Sequence, residues 1–543
     1  MCGIWCYCGT EEYPYTDIQK CVQHIKNRGP EDTCISTINQ NYGFAFTRLA
    51  INGLCQAAMQ PFIYKQLEWM CNGEIYNYKN LQKTYSLDWP SSGSDCEVIG
   101  HLYLALDKDL VALARAFDGV FAIALYDKET KELILARDPY GVRPLYYGYI
   151  GKTIFAASEI KALPPNCEDV AAFPPGHIGV FTPTNGLKLE KYHAIPWIKN
   201  PLLEEEDDSS QALKTALEAA VKKRLMTERP CAALLSGGLD SSLIAALVQK
   251  ELKEQKKPSL ETYSIGFAGS SDLYHARLVA DHIGSVHHEI VSTPEEFFAA
   301  IPEVIKTIES PDITSVRASV GNWLVAKYIK EHSPSGAKVV FNGDGSDEVF
   351  GSYLYFYNAP NDGAFEQEID RLLTDIHHFD VLRSDRSISS NGLEPRTPFL
   401  DKQFVAVARS LKTKHLRPTV TQPEKAALRF GFEPKSEYMS NLLPPEVLWR
   451  RKEAFSDGVS GIEKPWYQEA QERIAKLVTM PSKEELEARF PKLTPTTLEA
   501  YYYRTIYDGF YKHLIVPYFW MPRWSGETAD PSARTLKVYG LPQ

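Results

Sequence analysis

Leu235-Ser236-Gly237-Gly238-Leu239-Asp240-Ser241-Ser242 joins an apolar run to a helix through residues suited to holding an anion. Cys231 to Leu235 reads as a buried strand, after which Ser236 and two glycines can bend the chain at little steric cost. Their backbone N–H groups, with Ser241 and Ser242 opening the next helix, form a concave donor cluster for phosphate. A carboxylate in that cluster, Asp240, is best explained by a Mg2+ bridging it to the phosphates. The loop is not the G-x-x-x-x-G-K-[ST] type, because the one Gly-Lys-Thr, Gly151 to Thr153, has Tyr146 at the first glycine position.

Downstream of this loop strand and helix alternate. The runs are Cys231 to Leu235, Ser242 to Lys253, Glu261 to Phe267, Leu273 to Ile283, His287 to Val291, Glu295 to Ile308, Ser319 to Lys330 and Lys338 to Phe341. Such alternation predicts an α/β unit with a parallel sheet covered on both faces. Ligands of such sheets bind beyond the carboxyl ends of strands, where the loops at Ser236 and Asn342 both fall. From Phe365 to Gln543 the chain reads as mostly helical.

Upstream, residues 1 to about 195 read as an α+β domain rich in strands: Gly43 to Ile51, Trp69 to Ile75, Val120 to Tyr126, Glu132 to Arg137 and Thr153 to Ala157. Asp127 to Lys131 joins two of them as a hairpin. Helical periods occupy Ile18 to Lys26 and Asp95 to Leu106, predicting antiparallel sheets under helices. The pattern is lost from Glu190 to Ser210, and the linker is placed at residues 196–210. Ser209 or Ser210 is expected to cap a helix with Leu213, Leu217 and Val221 on one stripe.

With 543 residues, two domains or more are expected. A net charge of −10 argues against a nucleic-acid surface, and the short basic run Lys222-Lys223-Arg224 reads as a solvated helix face. No charged leader precedes an apolar core and no run approaches the roughly 20 apolar residues of a membrane helix, so the expectation is a cytoplasmic protein without membrane contact. Eight of the ten cysteines lie within the first 96 residues, but Cys6, Cys8, Cys21 and His24 lack the paired spacing of a zinc site. Free thiols buried as small hydrophobes are expected for all but Cys2. For assembly a homodimer is kept open.

The S-G-G-L-D-S-S loop resembles the pyrophosphate loop of the ATP pyrophosphatases. Joined to Met1-Cys-Gly-Ile4, it resembles the glutamine-hydrolysing asparagine synthetases, from Cys2 to the closing Asp530 to Leu536. The resemblance implies an N-terminal-nucleophile hydrolase sandwich (αββα) as a glutaminase domain at residues 2–195, followed at 211–543 by an ATP pyrophosphatase domain. Its substrates would be glutamine, aspartate and ATP with Mg2+.

By that resemblance Cys2 is the nucleophile once Met1 is removed, with its own α-amine, of pKa near 8, as base. Asn72 and Gly73 supply oxyanion donors. Arg48 holds the carboxylate of glutamine, and Glu74 and Asp95 its ammonium group. Arg28-Gly-Pro30 and Arg137-Asp-Pro-Tyr-Gly-Val-Arg143 complete the likeness, while Asn27 stands where His is more usual.

In the second half, Leu235 and Ile265 would flank adenine. Ser236, Gly237, Gly238, Asp240, Ser241, Ser242, Asn342 and Gly343 would surround ATP, Asp240 and Asp347 hold Mg2+, Arg317 bind aspartate, and Lys452 meet the developing pyrophosphate. Asp344 falls where a Glu promoting aspartyl-AMP formation is usual, Asn342 where Ser is usual, and Ser315 replaces Thr. A carboxylate one methylene shorter keeps its charge but has to be brought closer. Amidotransferases sharing only the first domain lack the 236–242 loop, and β-lactam-forming relatives lack the nucleophile. A non-catalytic binding protein on this fold stays open because of Asp344.

Overall fold

Strand Gly3–Cys8 alternates in two directions and is buried on both faces. In the computed structural model, Trp5 and Tyr7 point to one side, where they meet Ile18, Cys21 and Val22 of the helix Tyr15–Gln23. Ile4, Cys6 and Cys8 point to the other, against Met70, Ala122 and Leu135 of a second sheet. That second sheet covers its own outer face with Val98, Ile99 and Leu102 of the helix Val98–Ala105. Two sheets between helices therefore give the αββα sandwich, held by three buried apolar layers.

The structure describes all residues except 11–12, 40, 89–90, 197–199, 201–202, 204, 435–440, 453–457, 461–463, 513, 527–530 and 532–543. The closing resemblance at 530–536 therefore lies outside the described residues, Pro531 apart, as do residues 453–457 after Lys452 and parts of the 196–210 linker.

In spatial order the first sheet runs Glu168–Ala172, Tyr146–Ile150, Thr153–Ala157, Gly3–Cys8, Tyr42–Arg48 and Asp32–Asn39. The second runs Gly186–Lys191, His177–Thr182, Glu132–Arg137, Gly119–Asp127, Leu67–Ile75 and Phe62–Tyr64. All pairings within both are antiparallel. The 127–131 hairpin is present, and the Gly151-Lys152 pair is the turn of another.

The third sheet is wholly parallel, in the order Val286–Ser292, Glu261–Phe267, Cys231–Leu234, Val339–Phe341, Glu394–Arg396. Its last strand was not expected, since three residues around Pro395 carry no strand pattern. Helices cover both faces, as alternation predicted, and the region after 365 is largely helical.

Three expectations are corrected. The helix after the linker spans Glu206–Lys223, with Glu205 rather than Ser209 or Ser210 at the capping position. Three acids fill its first turn, which suits the positive end of the helix dipole, while both serines are buried inside it. Of the basic run only Lys222 is solvated: Lys223 pairs with Asp118 at 2.7 Å, and buried Arg224 with Asp401 at 2.7 Å. All ten cysteines are free, but Cys55 is exposed and Cys34 and Cys231 are half-buried.

The two halves share buried apolar clusters. Leu49, Val120 and Val142 of the first pack with Leu213, Leu239 and Phe399 of the second, which fixes one site relative to the other.

Candidate functional sites

Cys2 opens the Gly3–Cys8 strand at the seam between the antiparallel sheets. Its Sγ lies 3.5 Å from both the N and the O of Leu49, and burial pushes the thiol up to about 11. Met1 stands before it with its α-amine buried and donating to Leu393 O at 3.3 Å. Arg28 Nε donates to Cys2 O at 3.0 Å.

On the facing sheet, Asn72 and Gly73 lie in the strand Leu67–Ile75. The Asn72 side chain is fully buried, and neither its Nδ2 nor its Oδ1 has a hydrogen-bond partner among the described residues. An orphaned buried amide costs free energy unless a ligand completes it. At Gly73 a Cβ would fall 2.1 Å from Val120 O, so only glycine permits this approach of the strands.

Beside them Glu74 Oε2 accepts from Asn52 Nδ2 at 2.6 Å, and Asp95 Oδ2 accepts from Ile75 N at 2.6 Å. Burial raises both carboxyls, Asp95 to about 6 and Glu74 well above the usual carboxylate range, where the charge of Asp95 adds to the effect. Two buried acids with raised carboxyls, the charge of Asp95 opposing ionisation of Glu74, suit a cationic guest. Arg48 donates through Nη2 to Gly53 O and Cys55 O at 2.5 and 2.9 Å, anchoring the adjoining loop.

The Arg137–Arg143 motif proves to be a scaffold. Asp138 accepts from the N–H groups of Tyr140, Val142 and Arg143, while Arg137 donates to Arg143 O, Gly141 O and Phe173 O.

The second site is a cavity of about 210 Å3 beyond the carboxyl ends of the parallel strands. Its floor is the 235–242 turn. Gly237 has φ +71° and a Cβ there would strike His275 and Ala276, so it shapes the turn from behind. Ser241 Oγ accepts from Ser236 N at 3.2 Å, closing the loop onto the start of the helix Leu239–Glu254. Ser242 is buried within that helix and does not line the cavity.

The 342–348 loop packs directly on the first. A Cβ on Gly343 would come within 2.8 Å of Ser241 N, and Ser346 Oγ donates to Asp240 Oδ1 at 2.9 Å. Asp240 and Asp347 converge on one ammonium group: Lys425 Nζ reaches Asp240 at 2.6 and 2.7 Å and Asp347 at 2.7 Å. Lys452 Nζ lies 2.5 Å from the other oxygen of Asp347, and the two lysines hold that carboxyl well below its ordinary range despite its burial.

Two acids that share a cation in this way fit a divalent ion carried in with phosphate. No group of three His, Cys, Asp or Glu side chains among the described residues is set to hold a metal ion, so the remaining ligands would be phosphate oxygens.

Leu235 and Ile265 line the apolar part of the cavity. Asn342, Asp344 and the hydroxyl-bearing Thr314 and Ser315 line another wall. Arg317, on the same helix as Thr314, is outside the lining. Its guanidinium is held by Glu499, Nε to Oε1 at 2.8 Å and Nη2 to Oε2 at 2.5 Å.

Sequence reading missed Lys425, Asp380 and Arg383. Lys425 lies in no glycine-rich loop and reaches the cavity through a left-handed backbone, φ +58°. Asp380 Oδ2 accepts from Gly345 N at 2.8 Å, and Arg383 Nη2 donates to Asp344 Oδ1 at 3.0 Å, from a helix whose pattern reads as merely amphipathic.

A model of the asparagine synthase family matches residues 212–367 and 358–515, and one of a glutamine amidotransferase domain matches residues 1–184. The glutamine-hydrolysing asparagine synthetase of Gallus gallus is 40% identical over 573 residues, with 99% of each chain covered. That of Homo sapiens is 39% identical over 570 residues, again with 99% of each chain covered.

Proposed function

Because the chain belongs to the glutamine-hydrolysing asparagine synthetases, we propose that its two sites divide the work of glutamine-dependent asparagine synthesis, residues 2–195 releasing ammonia and residues 211–543 using it, with 196–210 between them. The observation that carries this division is the pair of unlike sites: a thiol facing an orphaned amide in one, and two converging acids with two lysines in the other.

In the first site Cys2 attacks the carboxamide carbon of glutamine after Met1 is removed, its own α-amine taking the thiol proton. Asn72 Nδ2 and the N–H of Gly73 receive the oxyanion, which explains why an unpaired buried amide is tolerated there. Glu74 and Asp95 hold the ammonium group of glutamine and Arg48 its carboxylate. Ammonia leaves, and water releases glutamate from the thioester.

In the second, ATP lies with its base by Leu235 and Ile265 and its phosphates over Ser236, Gly238, Ser241 and Gly343, on the turn that Gly237 and Ser242 shape. Bound Mg2+, held by Asp240 and Asp347, would neutralise phosphate charge. Lys452 and Lys425 then meet the departing pyrophosphate as the β-carboxylate of aspartate attacks the α-phosphorus. Thr314, Ser315 and Arg383 face aspartate, and Arg317 anchors their wall through Glu499. Asp344, oriented by Asn342 and Arg383, assists formation and aminolysis of the aspartyl-AMP. A cytoplasmic location is proposed from ten unpaired thiols. No helix among the described residues is long and apolar enough to cross a membrane.

Incubation with ATP, Mg2+, aspartate and glutamine tests the reading. It requires asparagine, glutamate, AMP and pyrophosphate together; ADP and inorganic phosphate in their place would contradict it.

A further inference from the structure

The aim of Lys425 is set by its backbone. It stands before the helix Ala426–Phe432 with φ +58°, a left-handed conformation that a residue with a β-carbon adopts at a cost and keeps only where its surroundings impose it. Those surroundings are buried and polar. Glu424, the residue before it, accepts from Arg429 Nη2 at 2.6 Å and from the Tyr357 hydroxyl at 3.3 Å, and Arg429 Nε donates to the carbonyl of Glu424 at 2.9 Å. An ammonium group on a side chain only 2% exposed is thereby held against two carboxylates from distant loops.

Every oxygen of those two carboxylates is occupied. Asp240 Oδ1 accepts from Lys425 at 2.7 Å and from Ser346 Oγ at 2.9 Å, and its Oδ2 from Lys425 at 2.6 Å. Asp347 Oδ1 accepts from Lys425 at 2.7 Å and from Ser352 Oγ at 2.6 Å, and its Oδ2 from Lys452 at 2.5 Å. An ammonium group has three N–H donors, so Lys425 is saturated by the same pair. The acids therefore already hold a cation, and it belongs to the chain. To take a free divalent ion they would have to release the ammonium and keep it nearby, like charge beside like charge. A polyphosphate reverses that balance, because its oxygens give the ammonium new acceptors and offset the added charge.

We propose that Lys425 is a positioning residue that acts as a resident counter-ion: it closes Asp240 and Asp347 to free divalent metal and yields them only to metal arriving on a nucleotide polyphosphate. Lys425 then moves onto the polyphosphate and returns to the two acids when pyrophosphate leaves. AMP lacks the β and γ oxygens and leaves the lysine on the acids. The inference rests on the proposed assignment of the second site.

Binding of Mn2+, in place of Mg2+, is measured on the full-length protein by loss of the free-ion electron spin resonance signal, alone and with AMP. Lys425→Met is expected to take up Mn2+ about tenfold more tightly than wild type or better in both conditions, the weight of one hydrogen bond between charged groups. Calorimetry of α,β-methylene-ATP, in which the bond to be cleaved is blocked, checks the site assignment separately. Mn2+ should tighten this analogue by about tenfold or more in wild type, and Asp240→Asn should lose the gain. Should Lys425→Met not fold, Lys425→Gln replaces it with the same expectation. Equal uptake of free Mn2+ by wild type and a folded variant overturns the proposal and leaves the site assignment intact. An analogue indifferent to Mn2+ in wild type, or a gain that survives Asp240→Asn, overturns both. A wild type that binds Mn2+ as tightly alone as with the analogue overturns the proposal without any variant.

Discussion

Asn342 Nδ2 donates to Asp344 Oδ2 at 2.7 Å, joining two of the positions where this chain departs from the pattern it resembles. The acid is one methylene shorter than the usual Glu and its neighbour is longer than the usual Ser. The longer side chain reaches the shorter one, and Arg383 holds the other carboxylate oxygen at 3.0 Å. The two departures compensate.

Reverting one alone is therefore costlier than reverting both. Asn342→Ser removes an amide donor from a half-buried acid, and aspartate-dependent pyrophosphate release with ammonia is expected to fall about tenfold, near the 1.4 kcal/mol of one charge-assisted hydrogen bond. Asp344→Glu alone changes it by less than about tenfold, and the double variant recovers at least half of the loss of Asn342→Ser on a logarithmic scale. Additive effects, measured as a double-mutant cycle, would show the pair to be independent. Asp344→Ala should cost on the order of a hundredfold while leaving glutaminase intact.

Lys425→Met leaves Asp240 and Asp347 facing each other without their shared cation. Breaking a buried ion pair costs roughly 3–5 kcal/mol, and the lower end applies here because these acids retain some exposure, at 16% and 15%. Thermal unfolding should show the variant less stable than wild type, with MgATP restoring a larger share of stability than it adds to wild type. Equal shifts on adding MgATP would mean that the nucleotide does not bring its cation to these acids.

Glutamine binding should weaken in acid. Burial raises Asp95 to about 6 and Glu74 well above the usual carboxylate range, where the charge of Asp95 adds to the effect. Both folded-state values are raised, so the negative charge that holds the ammonium of glutamine is present above this range and is lost as pH falls through about 6. Glutaminase kcat/KM measured from pH 5 to 8 should decline on the acid side; a flat profile between 5 and 7 would remove these carboxyls from glutamine recognition.

Local pattern made much of this legible. The parallel sheet followed from alternating runs of nearly correct length, and both of its ligand loops lie where such sheets place them. In the first domain the strands Gly3–Cys8, Asp32–Asn39, Phe62–Tyr64, Tyr146–Ile150, Glu168–Ala172, His177–Thr182 and Gly186–Lys191 were missed. The first is apolar on both faces and has no period, and the last extends through Glu190 into what read as linker.

The fit of the 235–242 loop to the 342–348 loop was readable because glycine and acid recur at strand ends. Lys425 and Arg383 were not readable, since a lysine 185 residues from its partner Asp240 leaves no local trace. Lys223 and Arg224 read as surface because charge was weighed without its partners Asp118 and Asp401, which come from distant segments.

The division of labour between the two sites is tested most directly by Cys2→Ala. With glutamine as nitrogen source, asparagine formation should disappear, because only the thiol releases ammonia. With an added ammonium salt, asparagine, AMP and pyrophosphate should form within about threefold of the wild-type rate, since adenylation over Asp240, Asp347 and Lys452 never uses the thiol. Equal loss with both nitrogen sources would contradict two separate sites.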